Sequence, residues 1–177
     1  MAVQELAGAL ERVETVLRRR PDLGLHDDAP AIVTWSGGLR MRAQHANGKQ
    51  MLTDMPAELG GTGDQVTPGW LLRAGLASCA ATCVAMLAAR EGIELTHLEL
   101  RASSRSDTRG MLGMQDGEGT SVPACPRDMQ LHVRIEALDV SAERLHDLVR
   151  RAVACSPVPC AVTEPVDIAL SIETGRG

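Results

Sequence analysis

Residues 67–92 read TPGWLLRAGLASCAATCVAMLAAREG, and the fold is decided by how this stretch is read. Thr67 is a good helix N-cap, and Pro68 suits the first helical position, where its missing N–H costs nothing. Gly92 is the natural stop. The spacing predicts one helix from Pro68 to Arg90. Between Trp70 and Ala89 the only charge is Arg73, so length alone permits a membrane span. The stretch is rich in Ala and Gly rather than Leu and Phe, and nothing else in the chain resembles a second span. The expectation is a helix buried all round inside a soluble protein, its small side chains letting other elements approach closely.

Downstream, ELTHLELRASS (94–104) reads as a strand and is followed by a glycine-rich loop near 108–127. In 129–137, Met129, Leu131, Val133 and Ile135 alternate with Gln130, His132, Arg134 and Glu136, the period of a half-solvated strand. Ser141 is placed to cap a second helix with Leu145, Leu148, Val149, Ala152 and Val153 on one face. Pro157 and Pro159 are expected to end it, and VDIALSIE (166–173) to form a last strand. Upstream, residues 31–55 read as strands, with Asn47-Gly48 as a hairpin signal. The loop 56–69 lacks the Lys-Ser/Thr ending of a phosphate loop.

At the N-terminus Val3, Leu6, Leu10, Val13 and Leu17 form a helical stripe closed by Arg18, Arg19, Arg20 and Pro21. The expected division is a helical extension over 1–28 and one domain over 29–177. The extension is expected to dock on the body or on a partner subunit. A membrane-surface helix is the alternative, opposed by Glu5, Glu11 and Glu14.

Composition removes whole function classes. A net charge of −5 does not suit a nucleic-acid binder. Trp35 and Trp70 are the only aromatics among 177 residues, so no base-stacking platform exists. No secretory signal opens the chain, and five unevenly spaced cysteines do not suggest a disulfide framework. A cytoplasmic location with reduced or redox-active thiols is expected. The separations of Cys79 from Cys83 and of Cys155 from Cys160 lack a zinc knuckle. The five histidines are scattered, with no Ser-His-Asp set. Neither a metal nor a cofactor is expected.

The ordered landmarks are strands leading to LGG (59–61), TPGWLLRAGLASC opening a long helix, AAREGIEL closing it, the loop DTRGMLG…VPACP, an amphipathic helix, and ACSPV before a strand. This set resembles the OsmC-like family, which includes the organic hydroperoxide resistance proteins, over roughly residues 30–173. The resemblance implies an α+β fold, an antiparallel-rich sheet packed around two central helices, in an intertwined homodimer. It implies a thiol-dependent peroxidase reducing organic hydroperoxides to alcohols, regenerated by a small or protein dithiol. Cys79 in GLASC would attack the peroxide and Cys155 in ACSPV would resolve it. Peroxidase members also place a Glu about ten residues before the first cysteine, working with an Arg from the early strands. Here that position is Gly69, with Glu58 in the preceding loop the nearest acidic residue of the right type, and Arg40 or Arg42 the candidate Arg.

Physical reasoning constrains the thiols independently. The thiolate is the nucleophile, and Cys79 lies too far into its helix for the dipole to act, so a cation must come from elsewhere; Arg40 or Arg42 is expected to supply it. A cysteine at a helix C-terminus, as Cys155 would be, suits resolution better than attack. Cys83, one turn past Cys79, reads as a core filler or as part of the same cavity. Trp70, Leu76, Met86 and Cys83 are expected to line an apolar substrate pocket, while Cys160 competes with Cys155 for the resolving role and Cys125 sits in a loop. The contrasting expectation is a non-catalytic protein of the same fold that binds a small apolar ligand or serves as a stress accessory.

Overall fold

The computed structural model describes residues 3–164 and 166–175, and its central element is the helix read from the sequence. Helix α2 runs Pro68–Arg90. Thr67 Oγ1 accepts the Trp70 N–H at 3.1 Å, and at the far end Gly92, at φ +68°, donates to the Ala89 carbonyl while Ile93 donates to that of Ala88. This double closure satisfies two carbonyls that the helix would otherwise leave without a partner, and its left-handed residue is the one where glycine carries no Cβ penalty.

Leu76, Ala80, Val84 and Ala88 recur every four residues and are buried, forming one stripe down α2. Against it packs α4, Ala142–Ala154, capped by Ser141 Oγ accepting the Arg144 N–H. Val84, Ala88 and Ile93 meet Leu145, Leu148 and Ala152 in a single core. Glu91 fastens the two helices from outside, reaching Arg151 at 2.7 Å and Arg144 at 3.7 Å. The rest of α2 is not enclosed: Trp70, Leu72 and Met86 are exposed. This corrects the expectation of a helix buried all round. Among the described residues α2 is the one helix long and apolar enough to cross a membrane.

Strands β4 (Leu95–Arg105) and β5 (Arg127–Ala137) pair antiparallel, with Leu98 opposite Ile135, Leu100 opposite Val133 and Ala102 opposite Leu131. The expected alternation holds: odd-numbered β5 residues from Met129 onward are half-buried and their even neighbours exposed. The early strands β1 (Ile32–Trp35), β2 (Met41–Gln44) and β3 (Gln50–Thr53) form a second antiparallel sheet in sequence order, its β2–β3 turn closed by Gly48 at φ +85°. The fold is α+β, as expected, with its strands in two separate sheets among the described residues. Helix α1, Val3–Arg19, lies along α2, and Glu14 Oε1 reaches Arg90 at 2.7 Å.

Two local expectations are corrected. Pro157 and Pro159 do not simply end a helix. Pro157 opens a further one, α5 (Pro157–Thr163), because proline at a first helical position needs no partner for its absent N–H. Residues 166–173 join neither sheet, and Val166, Ile168, Leu170 and Ile172 are 69–92% exposed. A short helix α3 (Thr108–Met111) sits in the loop between β4 and β5.

After β3 the chain folds over a buried carboxylate. Asp54 is 2% exposed and accepts from the Thr62 hydroxyl at 2.7 Å, the Met55 N–H at 2.7 Å, the Thr62 N–H at 3.3 Å and Arg40 Nη2 at 3.3 Å. The loop closes so tightly that a Cβ at Gly61 would collide with the Met55 carbonyl, which explains a glycine there. The Thr62 hydroxyl first, then the Met55 N–H, hold Asp54 at about 2, below its ordinary 3.8, against the opposing effect of burial. The native carboxylate therefore stays ionised where the unfolded one is protonated. Its stabilisation is present above about pH 4 and is lost as pH falls toward 2. Urea titrations of Asp54→Asn between pH 2 and 5 should show a shallower dependence of stability on pH than the parent, with lower stability at neutral pH; equal slopes would refute this role.

Candidate functional site

Cys79 sits in the middle of α2, partly buried. The group that meets it comes from the corner between α4 and α5. Ser156 donates its hydroxyl to Cys79 Sγ at 3.2 Å and is itself fully buried. Ser156 is the N-cap residue of α5, where a serine side chain ordinarily accepts a backbone N–H of its own helix. Here it makes no such bond. Its backbone is satisfied separately, the N–H by the Val153 carbonyl and the C=O by the Cys160 N–H, which leaves the hydroxyl for the sulfur.

Cys155, one residue earlier, is the C-cap of α4 and exposed. It turns into a different space, a cavity of about 650 Å³ among α1, α2 and α4, which Cys83, Met86, Leu87 and Val13 also line. The residue facing Cys79 is thus the one after the cysteine expected there. Sequence reading missed Ser156; the available signal was the Ser-Pro pair at 156–157, which marks a helix start and so a turn of the chain back onto α2.

The expected arginines are placed elsewhere. Arg40 enters the Asp54 loop, bonding Asp54, Thr62 and Asp64, and these carboxylates, Asp64 foremost, raise its pKa further. Arg42 is exposed on β2, opposite Leu52. Glu58 is exposed in the turn 57–59. Position 69 has room for a side chain, since a Cβ there would have the Arg73 guanidinium at 3.7 Å as its nearest neighbour; nothing in the packing explains the glycine. Arg73 itself reaches Ser104 Oγ at 3.4 Å.

The four expected pocket residues separate. Met86 and Cys83 line the large cavity. Trp70 lines a shallower one of about 250 Å³ with Arg73 and Leu100. Leu76, 4% exposed, belongs to the core. Cys160 donates to the Ala154 carbonyl at 3.4 Å, and Cys125 is exposed. Among the described residues no group of three or more His, Cys, Asp or Glu stands together as a metal site.

Comparison with known proteins follows the same lines. A family model described as OsmC-like protein matches residues 61–171. An OsmC-like protein of Mycoplasma pneumoniae superposes with a TM-score of 0.65 at 16% identity, covering 80% of this chain and 91% of its own. An organic hydroperoxide resistance protein of Elizabethkingia anophelis, with thiocyanate bound, gives 0.57 at 17% identity over 80% and 91%. One from Legionella pneumophila gives 0.54 at 21% over 80% and 95%. At these identities the likeness concerns the fold. Comparison with curated proteins returns no match.

The Ser156–Cys79 contact makes its own test. Replacing Ser156 by cysteine puts a second thiol against Cys79, within reach of disulfide geometry. Mild oxidation of Ser156→Cys should yield a crosslink between Cys79 and the introduced thiol, seen by peptide mapping, with an unchanged far-ultraviolet spectrum. A folded variant whose Cys79 remains free under oxidation would show the contact to be misplaced.

Proposed function

The chain belongs to the OsmC-like protein family, and from that premise we propose that it is a thiol-dependent peroxidase in which Cys79 reduces organic hydroperoxides to alcohols. The observation that carries this reading is the fully buried Ser156 hydroxyl, given up by its own helix and aimed at Cys79 Sγ. A side chain that abandons its local partner for a sulfur 77 residues away is placed for that sulfur.

In the proposed reaction the Cys79 sulfur attacks the outer peroxide oxygen, the O–O bond breaks, and the alkoxide takes the thiol's proton and leaves as the alcohol. Cys79 is left as a sulfenic acid, with Ser156 as hydrogen-bond donor to the reacting sulfur throughout. The second step departs from the sequence expectation. Ser156 holds the contact position that a resolving thiol would need, so an external dithiol takes over. One of its sulfurs attacks Cys79, the S–O bond breaks and water leaves; its second sulfur then displaces Cys79. A reducing, cytoplasmic setting fits this step and the five free cysteines.

One observation favours the non-catalytic alternative, a binder of small apolar ligands. The Arg40 guanidinium is engaged by Asp54 and Asp64, while a largely apolar cavity stands open beside α2.

The homodimer belongs to the same reading. Trp70, Leu72 and Met86 on α2, Ile32, Val33 and Trp35 on β1, and the alternating apolar residues of 166–172 are all exposed. We assign a second copy of the chain as the cover.

Two outcomes are expected. In a Cys83→Ser/Cys155→Ser background, one equivalent of cumene hydroperoxide should let dimedone label Cys79. Adding Ser156→Ala should slow labelling about tenfold, the equivalent of roughly 1.4 kcal/mol, at the upper end of what one ordinary hydrogen bond contributes. A folded protein whose Cys79 never acquires dimedone leaves only the binding alternative. For the assembly, sedimentation should give a dimer for the full chain and a smaller species for a chain ended at Glu164; a monomeric full chain at tens of micromolar would dismiss the dimer.

A further inference from the structure

The cavity among α1, α2 and α4 takes no part in the reaction proposed for Cys79: neither Cys79 nor Ser156 lines it. Leu10 and Val13 of α1 face Met86 and Leu87 of α2, with Ala152 and Ala154 of α4 closing the third side. Helix α1 precedes residues 61–171, so the family match does not extend to this wall. The space follows from side-chain length. Across from α1 stand Cys83, Ala152, Ala154 and Cys155, all short, and no described residue of α1 is buried. The apolar stripe of α1 therefore reaches over a gap, and Glu14 ties it down by an ion pair to Arg90 at 2.7 Å. Close-packed interiors keep few voids larger than a water molecule, and water between apolar walls finds few hydrogen-bond partners. At about 650 Å³ the cavity has the size of a small-molecule site.

The charges around it decide what kind of molecule fits. Arg90 and Arg151 also line the cavity and are half-exposed, which puts them at its solvent edge. Arg90 is matched by Glu14, and Arg151 by Glu91 and Asp147, at 2.7 Å each. A ligand carboxylate would have to displace a carboxylate already in place, so an acid gains little here. A guanidinium carries five N–H donors, and these pairs leave some of them free for a neutral acceptor such as an ester or ketone carbonyl. The walls are aliphatic or thiol, without an aromatic ring to stack on a planar ligand. Of the exposed residues assigned to the second copy, only Met86 lines this cavity, which argues for a small occupant over a subunit.

We infer that the cavity among α1, α2 and α4 is a binding site for a neutral aliphatic molecule with one hydrogen-bond acceptor at its head, of the ester or ketone class. The aliphatic body lies between α1 and α2, and the acceptor points to the guanidinia at the solvent edge. Ligand binding here changes no bond. It is independent of the chemistry proposed for Cys79, and it gives the apolar face of α1 a use that packing on α2 alone does not.

Cys155 reports occupancy, since it lines the cavity and is exposed, while Cys125 is exposed in a loop that does not line it. The reduced full chain is treated with N-ethylmaleimide, and the modification rates of both cysteines are read by peptide mapping, with methyl octanoate or octanoate present. Methyl octanoate in about tenfold excess over its Kd should slow Cys155 about tenfold and leave Cys125 unchanged. Octanoate at the same concentration should protect far less. Val13→Glu puts a carboxylate on the α1 wall at a position 55% exposed, so a folded variant should lose the protection. An ester that leaves the Cys155 rate unchanged, or slows Cys125 equally, overturns the inference, as does octanoate protecting as well as its ester. That comparison needs only the wild-type chain, so it decides even if Val13→Glu does not fold. Protection of Cys155 that grows with protein concentration, without ester, would make the occupant a second copy and also overturn it. Dimedone labelling of Cys79 is read separately, so either proposal can fail alone.

Discussion

The architecture depends on how closely one corner of the chain can approach the middle of one helix. Val84 and Ala88 put short side chains against α4, and Ala80 continues the same buried stripe of α2. Interiors pack to crystal-like density, so short side chains on one partner translate directly into a shorter separation between helix axes. That separation brings the α4–α5 corner down onto Cys79. A longer side chain at Ala80, which has no exposed surface at all, would need space that this approach has removed. The Ser156–Cys79 contact and the shared cavity of Cys83 and Cys155 both follow from the same geometry.

Much of the fold was legible because its signals are local. Thr67, Pro68 and Gly92 delimit α2 through bonds to residues within a turn or so, and the two-residue period of 129–137 is imposed by one buried face. The missed features are non-local. The Ser-Pro pair at 156–157 marks a turn but not the sulfur 77 positions away that Ser156 will face, and its neighbour Cys155 drew attention because cysteine advertises its own chemistry. Pro157 was misread for a different reason: proline marks both the stop of one helix and the start of another, and only the preceding serine distinguishes them. The arginines were identified as residues without their destinations. Asp54 and Asp64, which engage Arg40, lie in and beside a glycine-rich loop that no periodicity describes.

That loop bears on the chemistry as well as the fold. A guanidinium holding two carboxylates has its field compensated at short range, and a compensated charge does little for a third group. Asp54, with its four donors, makes Arg40 part of a self-contained polar cluster, the arrangement in which a buried carboxylate is tolerated. In this chain, then, the donor that meets Cys79 is a neutral hydroxyl.

The apolar surface left over follows from the same constraint. A helix with almost no polar residues from Trp70 to Ala89 needs cover on every side, and α4 with β4 supplies it along one stripe. The early sheet and residues 166–173 show the same imbalance, with alternating apolar residues facing solvent in a segment that forms no ladder. A strand pattern without a strand partner has unsatisfied backbone donors and acceptors as well as exposed side chains, and a second sheet edge answers both deficits at once where a small ligand answers neither. A second copy offers that edge and the apolar face beside it, and this is why the proposed dimer and the proposed chemistry share one origin: a central helix made narrow enough on one side for a close contact, and left wide and greasy on the others.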